Sequence, residues 1–127
     1  MRNLDWRTFL GRPRLPSPPV EALDGLYRQT VLITGAGGTI GSALALRLGS
    51  IVPLSLLLDT SESRLYDLQQ SWTTESVPGS MIPILGNVSD CTLLDEVFTI
   101  HAPRLVFHTA SLKHVAMMEK QPLAAIA

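Results

Sequence analysis

The chain has 127 residues, a formal net charge of −1, and 46% hydrophobic against 17% charged residues. That balance fits one folded domain and excludes wholesale disorder, and with no basic surplus or polybasic run it argues against nucleic acid or a membrane surface as partner. The single cysteine, Cys91, can close no internal disulfide and makes no metal site. The longest apolar run, Ile51–Leu58, contains Pro53 and falls short of the roughly 20 residues that a spanning helix needs.

Residues 1–28 differ from the rest. Pro13, Pro16, Pro18 and Pro19 crowd together, with Arg2, Arg7, Arg12 and Arg14 among and before them. Each proline blocks helix and ladder hydrogen bonds, so this stretch reads either as a lead-in arm, with a short helix near Asp5–Leu10, or as a disordered tail. The start, Met1 to Trp6, lacks an apolar signal core. Together with the absence of a spanning segment, this makes the expectation a soluble, cytoplasmic chain.

From residue 29 the rhythm becomes strand, helix, strand, helix. Thr30–Thr34 is a short apolar β-branched run, as a strand buried on both faces requires. Gly35–Gly38 predicts a turn and Thr39–Leu48 a helix with Ile40, Ala43, Leu44 and Leu48 inward, stopped by Gly49. Pro53–Leu58 reads as a second strand ending at Asp59. Ser61 to about Thr73 reads as a helix burying Leu65, Leu68 and Trp72. After the Pro78–Gly79 turn, Met81–Leu85 is a third strand, and Pro83 inside it demands an edge position. Ser89 is placed to cap a third helix, with Asp90 in its first turn and Leu93, Leu94, Val97 and Phe98 as its buried stripe. Arg104–His108 is a fourth strand, and Lys113–Glu119 begins another helical segment before Pro122.

This alternation predicts an α/β fold: a Rossmann-type parallel sheet with helices on both faces, the incomplete half of a doubly wound domain, spanning residues 29–127. Right-handed crossovers favour the strand order 3-2-1-4, which puts the Pro83 strand at an edge as its proline demands.

The chemistry gathers where strands end. Gly35, Gly38 and Gly41 are spaced three apart, follow a strand and open a helix, which is the context of a dinucleotide-binding loop. Gly35 serves the tight turn, Gly38 the approach of a pyrophosphate, and Gly41 close helix packing. Gly37, Thr39 and Ile40 complete the loop, and the helix start offers free N–H groups to phosphates. A glycine-rich turn kept for packing is the bland alternative. Asp59 lies 18 residues after Gly41, where an acid accepts hydrogen bonds from the adenosine ribose. It would repel a 2′-phosphate and so favour NAD, with NADP possible through nearby Arg64. The bland alternative is a helix-capping Asp before Thr60 and Ser61. Asn87 and Val88 end the third strand beside the expected adenine pocket, where Asn87 either pairs with adenine or shapes a turn. Thr109, Ala110 and Ser111 follow the fourth strand, small enough for a cofactor to cross the sheet.

These motifs together resemble the extended short-chain dehydrogenase/reductase superfamily. Within it the chain resembles the polysaccharide-biosynthesis nucleotide-sugar 4,6-dehydratases of the capsular CapD type. The matching stretches are Val31–Ser42, Leu57–Glu62, Leu85–Val88 and Val106–Val115, then Met118-Glu119 and Gln121-Pro122-Leu123, and Leu112-Lys113-His114-Val115 is the most specific. Phe9–Arg12 looks like the linker that follows membrane helices in longer members. The resemblance implies tightly held NAD(P) and a UDP-sugar substrate, UDP-N-acetylglucosamine foremost. The implied reaction oxidises C4, eliminates water across C5–C6 and returns hydride to C6. It also suggests Lys113 near the substrate pyrophosphate. Two positions depart from the pattern: Asn87 stands where the family has Asp, and Ser111 where it has Ala. The family's catalytic Lys and its Tyr or substitute lie beyond residue 127, so no residue here is carried over as catalytic acid or base. A non-catalytic binding module and a related epimerase or ketoreductase therefore stand beside the dehydratase. In complete members a fifth strand covers the fourth. With Leu105-Val106-Phe107 at an open edge guarded by Arg104 alone, the expectation is self-association, either edge-to-edge or by docking against the Pro-rich arm of a neighbour.

Overall fold

The computed structural model describes Gly11, Pro13 and residues 15–111. The helices read at Asp5–Leu10 and Lys113–Glu119, and Lys113 itself, lie outside these residues. Within them, α1 (Val20–Leu23) and a 3-10 turn (Asp24–Leu26) precede the sheet. Then come β1 (Thr30–Thr34), α2 (Thr39–Leu48), β2 (Leu54–Asp59), α3 (Glu62–Thr74), β3 (Ser80–Leu85), α4 (Cys91–His101) and β4 (Leu105–His108).

The four strands pair in parallel in the order β3-β2-β1-β4, as the alternation and Pro83 together predicted. Because both faces of a parallel sheet are covered, its central strands must be apolar throughout. β1 and β2 obey, and after their half-buried first residues every position is buried. The pleat divides them. Val31, Ile33 and Leu57 face α2 and α3, meeting Ala45, Leu48, Leu65, Leu68 and Trp72. Leu32, Leu56 and Leu58 face the other way, toward Val97 of α4. Each fully buried Leu or Ile contributes about 1.5–3 kcal/mol through this burial.

The inward face of α2 differs from the periodicity reading. Gly41, Ala45 and Leu48 are its buried residues, while Ala43 is exposed and Ile40 is 63% exposed. The reason is packing distance: the helix lies so close to β1 that glycine and alanine, not Ile40, fit between them. Gly49 does not stop α2 by a left-handed turn either, since its φ is −59° and its ψ −19°. Its missing side chain makes room instead, for a Cβ there would run into Trp72 and Val77. Trp72 Nε1 donates to the Gly79 carbonyl at 3.0 Å, and Gly79 N–H donates to the Gly49 carbonyl at 2.8 Å. That chain of bonds ties the end of α2, the body of α3 and the turn before β3.

Two further details of α4 differ. Asp90, not Ser89, is its N-cap, and its carboxylate accepts the Leu93 N–H at 3.1 Å. Leu93 and Leu94 are half-buried and Val97 is buried, but Phe98 is 43% exposed. At the far edge, β4 pairs with β1, and among the described residues no strand lies on its other side. Leu105 is 37% and Val106 48% exposed.

One buried group in β2 has no partner. Ser55 is fully buried, and its Oγ makes no hydrogen bond among the described residues. A buried hydroxyl without a partner costs about 1–3 kcal/mol, so Ser55→Ala is expected to raise stability. Leu57→Ala, two residues on in the same face, opens a cavity and should cost about 2–5 kcal/mol. Urea unfolding of the two variants checks the pair, and a Ser55→Ala midpoint below that of the wild type contradicts the assignment.

Candidate dinucleotide-binding site

β1 delivers the chain into Gly35, whose φ of +65° is the left-handed geometry that glycine adopts without a Cβ penalty. Space forbids a side chain as well, because a Cβ on Gly35 would lie 2.7 Å from the Ala110 nitrogen. Ala36 N–H then donates to the Leu58 carbonyl at 3.1 Å, and Gly38 N–H to the Gly35 carbonyl at 3.0 Å. Gly38 is the N-cap of α2, in extended geometry, and provides no capping side chain. The first N–H groups of a helix have no partner within it, so Thr39 and Ile40, both exposed, present theirs at the positive end of the α2 dipole. The other two long helices are closed by the side chains of Ser61 and Asp90.

Around this loop the fold forbids side chains at two more positions. A Cβ on Gly41 would strike the Gly35 carbonyl oxygen, which confirms the close helix packing read from the spacing. A Cβ on Gly37 would lie 2.5 Å from Arg64 Cβ and 3.1 Å from Asp59 Oδ2. Gly38 is different. A Cβ there would press on the Gly35 carbonyl oxygen at 3.2 Å and meet no other heavy atom within 4 Å among the described residues.

Asp59, at the end of β2, is buried with 7% exposure. Its Oδ2 accepts the Gly37 N–H at 2.9 Å and its Oδ1 accepts the Ser61 N–H at 2.9 Å. One carboxylate thus holds both the glycine loop and the entry to α3, so the cap-like role is real. A carboxylate has about four lone-pair sites, and two of them remain for hydroxyl donors. Arg64 stands on the exposed side of α3, its Cβ seated behind Gly37.

The ends of β3 and β4 complete the rim. Asn87 is exposed, and its Oδ1 accepts the Ser89 N–H at 2.9 Å while its carbonyl accepts the Asp90 N–H. The turn-forming role is therefore present, and its Nδ2 group makes no hydrogen bond among the described residues. Val88 is half-buried against the Leu56–Leu58 side of the core. Thr109 and Ala110 are half-buried and Ser111 is exposed. Thr109 Oγ1 donates to the Thr34 carbonyl at 2.7 Å and lies 3.3 Å from the Gly35 carbonyl.

Thr34 is the residue the sequence reading missed. It is buried, and its Oγ1 lies 2.6 Å from His108 Nδ1 and accepts the Ala110 N–H at 3.4 Å. The one available signal is a hydroxyl at the end of an otherwise apolar strand. His108, the last residue of β4, is its partner.

Gly35, Gly37, Gly38, Thr39, Ile40, Gly41 and Asp59 thus form one contiguous group, and Thr109 and Ala110 close it on the β4 side. Asn87 joins through the backbone, because Gly86 N–H donates to the Asp59 carbonyl at 3.0 Å. All of them lie at the carboxyl ends of the strands, where open α/β sheets bind ligands. Two concavities of about 240 and 290 Å³ lie at the opposite, amino ends, one lined by Tyr27, Ile51 and Pro78, the other by Leu26, Gln29 and Arg104. Neither gathers groups able to hold a phosphate and a ribose together, so volume is a poor guide here.

Comparison with known proteins agrees with this geometry. The Staphylococcus aureus capsular polysaccharide biosynthesis protein CapD is 34% identical over 128 aligned residues, covering 99% of this chain and 21% of CapD. The chain therefore spans about a fifth of the length of the curated relatives it matches first. The structure of Pen from Bacillus thuringiensis superposes with a TM-score of 0.68 at 22% identity, over 80% of this chain and 31% of that one. UDP-glucose-4-epimerase from Stenotrophomonas maltophila, solved with bound NAD and formylated UDP-arabinopyranose, superposes with a TM-score of 0.64 at 22% identity. It covers 77% of this chain and 29% of its own. The polysaccharide biosynthesis protein family model matches residues 31–127, and the chain belongs to that family.

Proposed function

We propose that this chain binds NAD or NADP at the carboxyl ends of its strands and is the dinucleotide-binding part of a nucleotide-sugar 4,6-dehydratase acting on a UDP-sugar such as UDP-N-acetylglucosamine. In this reading residues 1–28 are an arm and residues 29–127 the binding domain. The observation that carries it is Gly38. The fold's own packing forbids a Cβ at Gly35, Gly37 and Gly41, while at Gly38 a Cβ would press on the Gly35 carbonyl oxygen alone, at 3.2 Å, beside uncapped helix N–H groups. A glycine in that place fits the approach of a pyrophosphate. The S. maltophila epimerase, with NAD in its structure, supports the cofactor class. CapD supports the pathway. When bound, a nicotinamide supplies hydride transfer; the residues of this chain bind and orient it.

The reading gives each group a ligand role. The N–H groups of Thr39 and Ile40 take the phosphates, Asp59 the adenosine ribose, and the free Nδ2 of Asn87 the adenine edge. Small Ala110 and Ser111 leave room across the sheet, and the family resemblance suggests Lys113, outside the described residues, for the substrate pyrophosphate. An epimerase of the same superfamily is the second reading, favoured by the superposition on a UDP-glucose-4-epimerase.

Calorimetric titration with NAD and NADP tests the cofactor assignment. Gly38→Val should stay folded yet lose affinity by roughly tenfold or more, equivalent to about 1.4 kcal/mol. Equal affinity in wild type and variant contradicts it. For cofactor choice, Asp59→Ala should weaken NAD and narrow its advantage over NADP. It also frees the Gly37 N–H, so both ligands weaken and their ratio carries the information. A wild type that already prefers NADP shifts the ribose role from Asp59 to Arg64.

We also propose that the exposed edge of β4 pairs with a second copy when the 127-residue chain stands alone, since apolar Leu105 and Val106 are uncovered there. In sedimentation velocity, Val106→Lys should move the assembly toward monomer. A monodisperse wild-type monomer at tens of micromolar removes this part.

A further inference from the structure

We infer that Thr109 is a positioning residue for dinucleotide binding, its hydroxyl setting the glycine turn that presents the helix N–H groups. The inference rests on the dinucleotide reading and goes beyond it in giving Thr109 a role through the turn, without contact to the ligand.

The hydroxyl sits where three elements converge. It donates to the Thr34 carbonyl at 2.7 Å, at the end of β1, and the Gly35 carbonyl lies within 3.3 Å. On the α2 side it is 2.8 Å from where a Cβ of Gly41 would be. The Gly35 carbonyl it approaches is the acceptor of the Gly38 N–H, the bond that folds the loop back on itself. A shift in that carbonyl therefore moves Gly38 and, behind it, the first turn of α2. The direction in which the Thr39 and Ile40 N–H groups point depends on the same carbonyl.

The geometry also separates positioning from mere support. Both carbonyls keep a donor when the hydroxyl is gone: Thr34 O retains the Thr109 N–H at 3.1 Å, and Gly35 O retains the Gly38 N–H at 3.0 Å. No buried acceptor is orphaned, so removal of the hydroxyl should leave the fold standing. What changes is distance. A valine methyl cannot approach a carbonyl oxygen as closely as a donating hydroxyl does, since carbon contacts relax near 3.5 Å or beyond. Thr109→Val would push the turn away from β4 by several tenths of an ångström. Anion binding by backbone N–H groups is sensitive to such a shift, because their directions are fixed by the turn.

The test uses the 127-residue chain and three probes: NAD, ADP-ribose and adenosine. The first two carry the pyrophosphate, and the third ends at the ribose. Thr109→Val should weaken NAD and ADP-ribose about fivefold or more, the effect of one net hydrogen bond. Adenosine affinity, followed by NMR titration, should stay at the wild-type value, and Thr109→Ser, which keeps the hydroxyl, should restore NAD. Unchanged NAD affinity in Thr109→Val overturns the inference and leaves the dinucleotide reading intact. Equal weakening of NAD and adenosine also overturns it, since that pattern marks a general loss of structure. If Thr109→Val does not fold, Thr109→Ala, which removes the hydroxyl's hold on the Gly35 carbonyl without pushing it, is measured against the same probes; a smaller loss of NAD and ADP-ribose with adenosine unchanged is expected, and unchanged NAD affinity overturns the inference. A wild type that binds neither NAD nor ADP-ribose overturns the dinucleotide reading itself, and this inference with it.

Discussion

The Gly35 carbonyl is the point on which the rest of the site turns. It accepts the Gly38 N–H, lies beside the Thr109 hydroxyl, and stands so close to α2 that Gly41 has no room for a Cβ. That close approach explains why α2 rests on β1 through Gly41 and Ala45. It also explains why Ile40, which periodicity assigns inward, faces out. Asp59 fixes the loop from the other side, by accepting the Gly37 N–H. The loop is therefore held by hydrogen bonds from β2 and β4 before any ligand arrives, and a preorganised site of this kind spends little binding free energy on ordering itself.

The two ends of the sheet differ in kind. At the amino ends, Trp72, Gly79 and Gly49 are joined by hydrogen bonds and apolar contact, which is packing. At the carboxyl ends the groups are polar and directional: among the described residues, helix N–H groups without a cap, a buried carboxylate with spare acceptor sites, and an amide whose donor has no partner. The two concavities described above lie at the packing end. A dinucleotide needs a row of placed donors and acceptors more than a deep cavity, so the directional end is the one to associate with function.

Much of this was legible in the sequence because its signals are local. An apolar run such as Thr30–Thr34 must be a buried strand, and Pro83 must sit at an edge, so strand order followed from pleat chemistry and crossover handedness. Gly35 and Gly41 were correctly separated into a turn and a close contact by position alone. The failures came where tertiary distance decides. Periodicity weighs Ile40 and Phe98 as core because they are large, and it cannot see that α2 packs too near β1 for a large side chain. Ser89 and Asp90 are equally good caps by residue type, and only the chain path chooses Asp90. Gly49 does end α2, but the sequence carries no sign that its missing side chain makes room for Trp72. Thr34 carries no sequence signal of its long-range bond to His108, because 74 residues separate the partners.

The central claim is that a dinucleotide's pyrophosphate rests on the N-terminus of α2 beside Gly38. A backbone amide NMR titration of the 127-residue chain with NAD tests it most directly. The account predicts that the amide signals of Gly38, Thr39 and Ile40 shift most, with Gly37 and Ser61 following through Asp59. Shifts centred instead on Tyr27, Gly49 and Gly79 at the opposite end of the sheet, or no shifts at millimolar NAD and NADP, would contradict it.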